Sequence, residues 1–269
     1  MTAGGPARGA CSNCGAVLTG PFCAACGQEV RPLDPSLNEI LRDVGHELSD
    51  VDGRVLRSLR RLFSSPGFLT EEHFEGRRAA WLPPIRLYLV VSVVYFAVSS
   101  LTGQAGPTIN IDVTGDTDEE TLEELQRFGY SSDAELDRVI QDAEATWMPR
   151  AMFVLMPIFA GLVQLAQRRS GRKYPHHLIF ALHAHTAWFG IFALLGLIGY
   201  LGSDLARRVL GIAAILYAVA YLAVAFRRVY GGTWPRAILQ SVIVGGGYAI
   251  VTVLVTAAIV VPIVLVVGT

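Results

Sequence analysis

Hydrophobic and polar positions change their rhythm along this chain. In residues 31–83 apolar positions recur at helical spacing. Leu37, Ile40, Leu41, Val44 and Leu48 follow Ser36-Leu-Asn-Glu39, which has the form of a capping box. A second helical run sets Val55, Leu56, Leu59, Leu62 and Phe63 among Arg54, Arg57, Arg60 and Arg61. A basic amphipathic helix ahead of a membrane span is expected to lie on an anionic leaflet; the plainer alternative is a helix packed in a small soluble domain. From residue 84 the pattern becomes near-continuous apolar runs at 85–101, 151–166, 178–201, 209–226 and 237–267. The expectation is a mostly α polytopic membrane protein with about five spans. Arg86 is the one charge in the first run, at an edge where its stem can snorkel. The last run, at about 1.5 Å per residue, exceeds a hydrocarbon layer of roughly 30 Å, so it must tilt, protrude or break, with Gly245-Gly246-Gly247 the natural break point. Pro157 and Pro262 are expected kink points.

Residues 102–148 form an acidic connection. Within it, 121–128 and 132–145 have helical apolar spacing, and Ser132-Asp-Ala-Glu135 reads as another capping box. The cluster Asp112, Asp116, Asp118, Glu119 and Glu120 lacks the spacing of a calcium-binding loop and reads as a solvated acidic loop.

Composition reinforces the membrane class. Of 269 residues, 52% are hydrophobic and 17% charged, and the mean hydropathy is +0.44. The net charge of −1 conceals segregation. Seventeen of the 22 basic residues fall on one side of the proposed spans, in the segment through Arg86 and around Arg168, Arg169, Arg172, Lys173, Arg227, Arg228 and Arg236. The other side holds Arg127, Arg138, Arg150, Arg207 and Arg208, together with 12 of the 23 acids in residues 103–147. Basic residues favour the cytoplasmic face, so the N-terminus is expected inside and the C-terminus outside a bacterial-type inner membrane. No apolar leader stretch precedes the first cysteines, which agrees with an N-terminus kept in the cytoplasm.

All four cysteines lie near the start, as Cys11-x2-Cys14 and Cys23-x2-Cys26, each pair followed by glycine, Gly15 or Gly27. Two short loops that each aim two thiolates at one point suit a tetrahedral zinc ion, and residues 1–30 are expected to form a zinc ribbon with Zn2+ in a structural role. Four thiolates leave no open coordination position, so a catalytic zinc is disfavoured. Two disulfides would need an oxidising compartment, and a redox CxxC would need a thioredoxin-like βαβ context that is missing here. The ribbon segment holds one arginine, Arg8, and one aromatic, Phe22, which makes nucleic acid an unpromising partner. The expected partners are the lipid bilayer and a protein or a second copy of the chain.

Four histidines, His176, His177, His183 and His185, crowd one end of the third span, where ionisable groups are functional candidates. At about 100° per residue, His183 and His185 lie about 200° apart and cannot share an ion from one regular helix. His176 and His183 lie within roughly 20° of one another and would need a further helix to complete a site. The competing reading is interhelical hydrogen bonding. Small residues at packing spacing, Ala214 with Ala218 and Gly196 with Gly199, read as close helix approach.

Several segments resemble an uncharacterised bacterial family of zinc-ribbon membrane proteins classed as a domain of unknown function. The similar stretches are Cys11-Ser-Asn-Cys14-Gly15 with Cys23-Ala-Ala-Cys26-Gly27-Gln28, then Pro66-Gly67, Phe74-Glu75-Gly76-Arg77-Arg78 and Pro83-Pro84. His177-Leu-Ile-Phe-Ala-Leu-His183-Ala-His185 and Phe226-Arg227-Arg228-Val229-Tyr230-Gly231 also resemble it, while Arg77 stands where the family pattern leads one to expect lysine. The resemblance implies architecture and no catalytic residues.

No phosphate-binding loop, dinucleotide fingerprint or HExxH motif occurs, and Asp204 is the one acid beyond Glu144. The leading expectation is a non-enzymatic membrane adaptor or regulator with a cytoplasmic docking head. The alternatives are a small-solute transporter or channel component, and an intramembrane metal-dependent enzyme using the histidines.

Overall fold

The computed structural model describes residues 9–30, 53–102 and 129–267. The helix expected at 36–48, the helix expected at 121–128 and the acidic cluster from Asp112 to Glu120 lie outside them. Among the described residues the helices are α1 (Arg54–Ser64), α2 (Phe68–Phe74), α3 (Pro84–Thr102), α4 (Asp133–Ala166), α5 (Tyr174–Tyr200), α6 (Asp204–Tyr230) and α7 (Trp234–Val267). Five of them, α3 to α7, are long and apolar enough to cross a bilayer, the architecture of a multi-pass membrane protein.

The central helix is α5, packed against α3, α4 and α6, while α7 lies against α4 and α6. Its buried Phe180, Ala184 and Ala187 share a core with Leu87 of α3, Phe159 and Val163 of α4, and Leu222 and Phe226 of α6, while its Leu182 and Phe189 share a second with Tyr88 of α3 and Met152 and Leu155 of α4. Phe180 stacks on Phe226 with ring centres 5.2 Å apart, and Tyr95 of α3 stacks on Phe189 at 4.7 Å. The outward faces carry apolar side chains such as Val93, Phe153, Ile212, Val253 and Leu254, as lipid contact requires.

Successive spans run in opposite directions. Gln167 beyond the end of α4 meets Gln240 near the start of α7 at 2.9 Å, and Arg227 near the end of α6 lies 4.2 Å from the Trp234 ring centre. At the other end, the Tyr130 hydroxyl donates to the Val264 carbonyl at 2.6 Å. Arg168, Arg169, Arg172, Lys173, Arg227, Arg228 and Arg236 therefore share the end where α3, α5 and α7 begin, as the charge count anticipates.

One expectation is corrected, and one open choice is decided. The outer helix at 132–145 and the span at 151–166 are one helix of 34 residues. Pro149 removes one backbone hydrogen bond, but Ala143 and Met148 on one side of it and Ala151 and Met152 on the other are all buried, so packing carries the helix through. Likewise α7 continues without a break through Gly245, Gly246 and Gly247. Each glycine costs a helix about 1 kcal/mol relative to alanine, whereas opening the ladder in an apolar span leaves backbone groups unsatisfied at several kcal/mol each. Helices α5 and α6 also start earlier than the apolar runs, at Tyr174 and Asp204, because polar turns complete them; the Ser203 side chain accepts from the Ala206 N–H at 3.3 Å.

Before the spans, α1 and α2 form a bent pair that covers α5 and α6. α1 buries Ser58 and Leu62 while Arg57, Arg60 and Arg61 stay exposed. Pro66 ends it, and Gly67, at φ +78°, turns the chain into α2. At this elbow an added Cβ on Gly67 would lie 3.0 Å from the Ala225 Cα of α6. The Phe63 ring fills the space above Gly190, 16 positions after the start of α5 and thus about 24 Å along it. α1 is therefore packed on the helix bundle, rather than resting only on a lipid surface or within a separate soluble unit. The short α2 was not legible in the periodicity. It ends in a glycine-capped turn, with Gly76 at φ +77°, the Gly76 N–H bonded to His73 O and the Arg77 N–H to Glu72 O.

Candidate metal centre

Residues 9–30 are built from one unit used twice, twelve residues apart. In the first copy the Cys11 N–H donates to Ala16 O, the Gly15 N–H to Cys11 O, and the Leu18 N–H to Gly9 O. In the second the Cys23 N–H donates to Gln28 O, the Gly27 N–H to Cys23 O, and the Val30 N–H to Pro21 O, at matching distances of 2.8 to 3.0 Å. Antiparallel bridges Ala10 to Val17 and Phe22 to Glu29 repeat the same offset. Gly15 and Gly27 adopt φ of +76° and +71°, the left-handed turn that lets each knuckle double back.

The repetition brings four sulfurs together, all within 4.8 Å of one another. Cys11 and Cys26 Sγ are 3.7 Å apart, and Cys14 and Cys23 Sγ are 3.6 Å apart. A tetrahedron with zinc–sulfur bonds of about 2.3 Å places sulfurs about 3.8 Å apart. The donor set thus fits one tetrahedral soft metal ion, and the four cysteines are not joined as disulfides. Cys11 and Cys23 are buried while Cys14 is exposed. The Cys26 and Ala25 backbone N–H groups pull the Cys23 thiol down to about 6. For Cys14 the Ala16 N–H also lowers the value, but hydrogen bonds with the neighbouring thiols outweigh it and push the group up to about 12. Binding a metal releases the protons that the thiols hold.

Gln28, which follows the second knuckle, joins this unit to the bundle. Its Nε2 donates to Gly76 O at 2.6 Å, and its Oε1 accepts from the Arg78 and Ala79 N–H groups, each at 2.9 Å. The junction it grips is organised by Glu72, which accepts from Arg77 and, at 3.2 Å, from the Trp81 Nε1–H. Arg77 also pairs with Glu75. Burial pushes the Glu72 carboxyl up, but Arg77 and Trp81 outweigh it and hold the group below the usual carboxylate range. The Ser58 Oγ of α1 accepts from the Leu82 N–H at 2.9 Å, completing the tie between α1 and the start of α3.

The four histidines are buried and turn to different neighbours. His176 packs edge-on against Phe74 of α2, and His177 lies 2.8 Å from the Tyr230 hydroxyl of α6 through Nδ1. His183 Nδ1 is 2.9 Å from the Thr70 hydroxyl of α2, and His185 Nε2 is 2.8 Å from the Tyr248 hydroxyl of α7. His176 and His183 share a face as the spacing predicts, and α2 covers both, with no third metal-ligating group beside them among the described residues. The partners Thr70, Tyr230 and Tyr248, and Gln28 and Glu72 at the junction, were not singled out by the sequence reading. Gln28 and Tyr230 had a signal, their places in the family-like stretches Cys23–Gln28 and Phe226–Gly231.

Residues 52–96 match a family model described as a protein of unknown function, DUF3667. That stretch comprises α1, the elbow, α2, the junction and the first part of α3. No curated protein and no solved structure matches the chain.

Proposed function

We propose that this protein is a membrane adaptor or regulator that works by binding, in which a zinc-held ribbon serves as a cytoplasmic docking head on a five-helix inner-membrane anchor. The observation that carries the reading is the closed cluster of Cys11, Cys14, Cys23 and Cys26. Four thiolates saturate a tetrahedral ion, so the metal organises a unit too small for a core of its own and leaves no position for a reacting water. Val17 and Phe22, on the two bridged segments, are 76% and 58% exposed and offer apolar contacts to a protein partner. The orientation follows from the basic residues gathered at the ribbon's end of the bundle, which favour the cytoplasmic side.

The test is affinity purification from membranes in mild detergent, with metal analysis of the purified protein. The wild type should carry one zinc per chain and recover a protein that is lost from the Cys11→Ser/Cys14→Ser and Phe22→Ala preparations. Identical recovery from all three would refute the docking head. An extracytoplasmic thiol reagent that modified Cys14 in intact cells would refute the orientation.

A further inference from the structure

Gln28 occupies an unusual position. Its main chain belongs to the metal knuckle, since its carbonyl receives the Cys23 N–H at 2.8 Å. Its side chain belongs to the bundle, where both polar atoms are used: Nε2 on Gly76 O, and Oε1 on the Arg78 and Ala79 N–H groups. Those two amides follow directly on the glycine-capped end of α2 and precede the Leu82 N–H that Ser58 of α1 holds. Three hydrogen bonds from one side chain thus fix the segment between α2 and the first span.

The unit presenting Gln28 has almost no core of its own. Among residues 9–30, the buried hydrophobic positions are Cys11 and Cys23, both ligands. A unit of this size held by four thiolates is ordered with its ion and unfolds without it. The placement of Gln28, and with it the grip on Gly76 to Ala79, is then tied to metal occupancy.

We infer that the ribbon is a metal-dependent latch: loaded, it pins the α2–α3 junction through Gln28, and metal-free, it releases the junction and loosens the α1–α2 cover over the histidine-bearing end of α5. The inference rests on the reading of the four cysteines as a metal site and goes beyond the docking role, because its target lies within the chain itself.

Hydrogen–deuterium exchange of the full-length protein in detergent micelles reads the latch directly, through the Arg78 and Ala79 amides. Gln28→Ala should speed their exchange about five- to thirtyfold while bound zinc stays at the wild-type level. Gln28→Glu keeps an accepting oxygen but sets a carboxylate oxygen against the Gly76 carbonyl in place of the Nε2 donor, so the two amides should exchange faster than in the wild type and more slowly than in Gln28→Ala. Chelation of the zinc, or Cys11→Ser/Cys14→Ser, should raise exchange at these amides as much as Gln28→Ala does, and chelation should add little more to Gln28→Ala. Amides that stay protected in Gln28→Ala would overturn the contact. Amides that stay protected after metal removal, with residues 9–30 freely exchanging, would overturn the metal dependence. A wild-type protein without bound metal would refute the zinc reading and the metal dependence together, while Gln28→Ala would still test the contact separately.

Discussion

Replacing Gly67 by alanine strikes the elbow where α1 turns into α2 and meets α6. Two effects add. At φ +78° an L side chain is strained by about 1 to 2 kcal/mol. The new Cβ would also stand 3.0 Å from Ala225 Cα, 3.1 Å from Ala225 O and 3.1 Å from Val229 Cγ2. Two of these three atoms are helix backbone, which cannot move aside as a side-chain end can, so crowding adds about 1 to 3 kcal/mol. A combined loss of about 2 to 5 kcal/mol corresponds to roughly 4 to 20 °C in apparent melting temperature for a chain of this size. The assay is intrinsic tryptophan fluorescence during heating of the detergent-solubilised protein, since Trp81 packs on Phe68 of α2, with ring centres 5.4 Å apart. Gly171→Ala separates the two effects. Gly171 has a similar φ of +70° but nothing within 4 Å of its added Cβ, so it reports conformational strain alone. The contact with α6 is refuted if both substitutions lower the melting temperature equally.

Further outcomes follow from the same contacts. Tyr248→Phe removes the hydroxyl 2.8 Å from His185 Nε2 and leaves a buried ring nitrogen without that partner; it should destabilise by about 1 to 3 kcal/mol, checked by thermal melting, and a cycle with His185→Leu should give a coupling of 0.5 kcal/mol or more. Glu72→Gln should cost about 1 kcal/mol at pH 7, discounted for the partial exposure of Arg77. Because the Glu72 carboxyl is held below its usual range, its contribution is fully present above that range and disappears as the pH falls through the depressed value. The difference between wild type and Glu72→Gln should therefore shrink on acidification, measured as melting temperature against pH. Zinc affinity, measured by competition with a chelator, should weaken as the pH falls. Protons compete with the metal for the thiolates, and the Cys23 thiol, lowered by the Cys26 and Ala25 N–H groups, gives up its proton more readily than the Cys14 thiol, which its neighbours raise.

The spans and the thiol cluster were legible because each rests on a local rule. Uncharged runs of bilayer length and two CxxC knuckles need only neighbouring residues to be recognised. What escaped was decided by distant packing. The covering pair of α1 and α2 is held by Phe63 over Gly190, Thr70 on His183 and Arg228 on the Pro66 carbonyl at 3.0 Å, contacts no periodicity encodes. The histidines show the same limit: helical angles gave their directions, but only the fold supplied Thr70, Tyr230 and Tyr248 as their partners. Of tilt, protrusion or a break in the last span, the structure rules out the break, because an opened helix in lipid costs more than three glycines in a continuous one.

The elbow has a consequence for biogenesis. Pro66 and Arg228 are separated by 162 positions, and Thr70 and His183 by 113, so the covering pair emerges from the ribosome long before the helices it will sit on. At about 5 to 20 residues per second, the wait for α6 is roughly 8 to 32 seconds. During that interval Leu62 and Leu69, buried in the finished molecule, lack the part of their cover that Leu222 and Phe226 of the fourth span supply, and transiently exposed apolar surface of this kind is what chaperones and quality-control proteases act on.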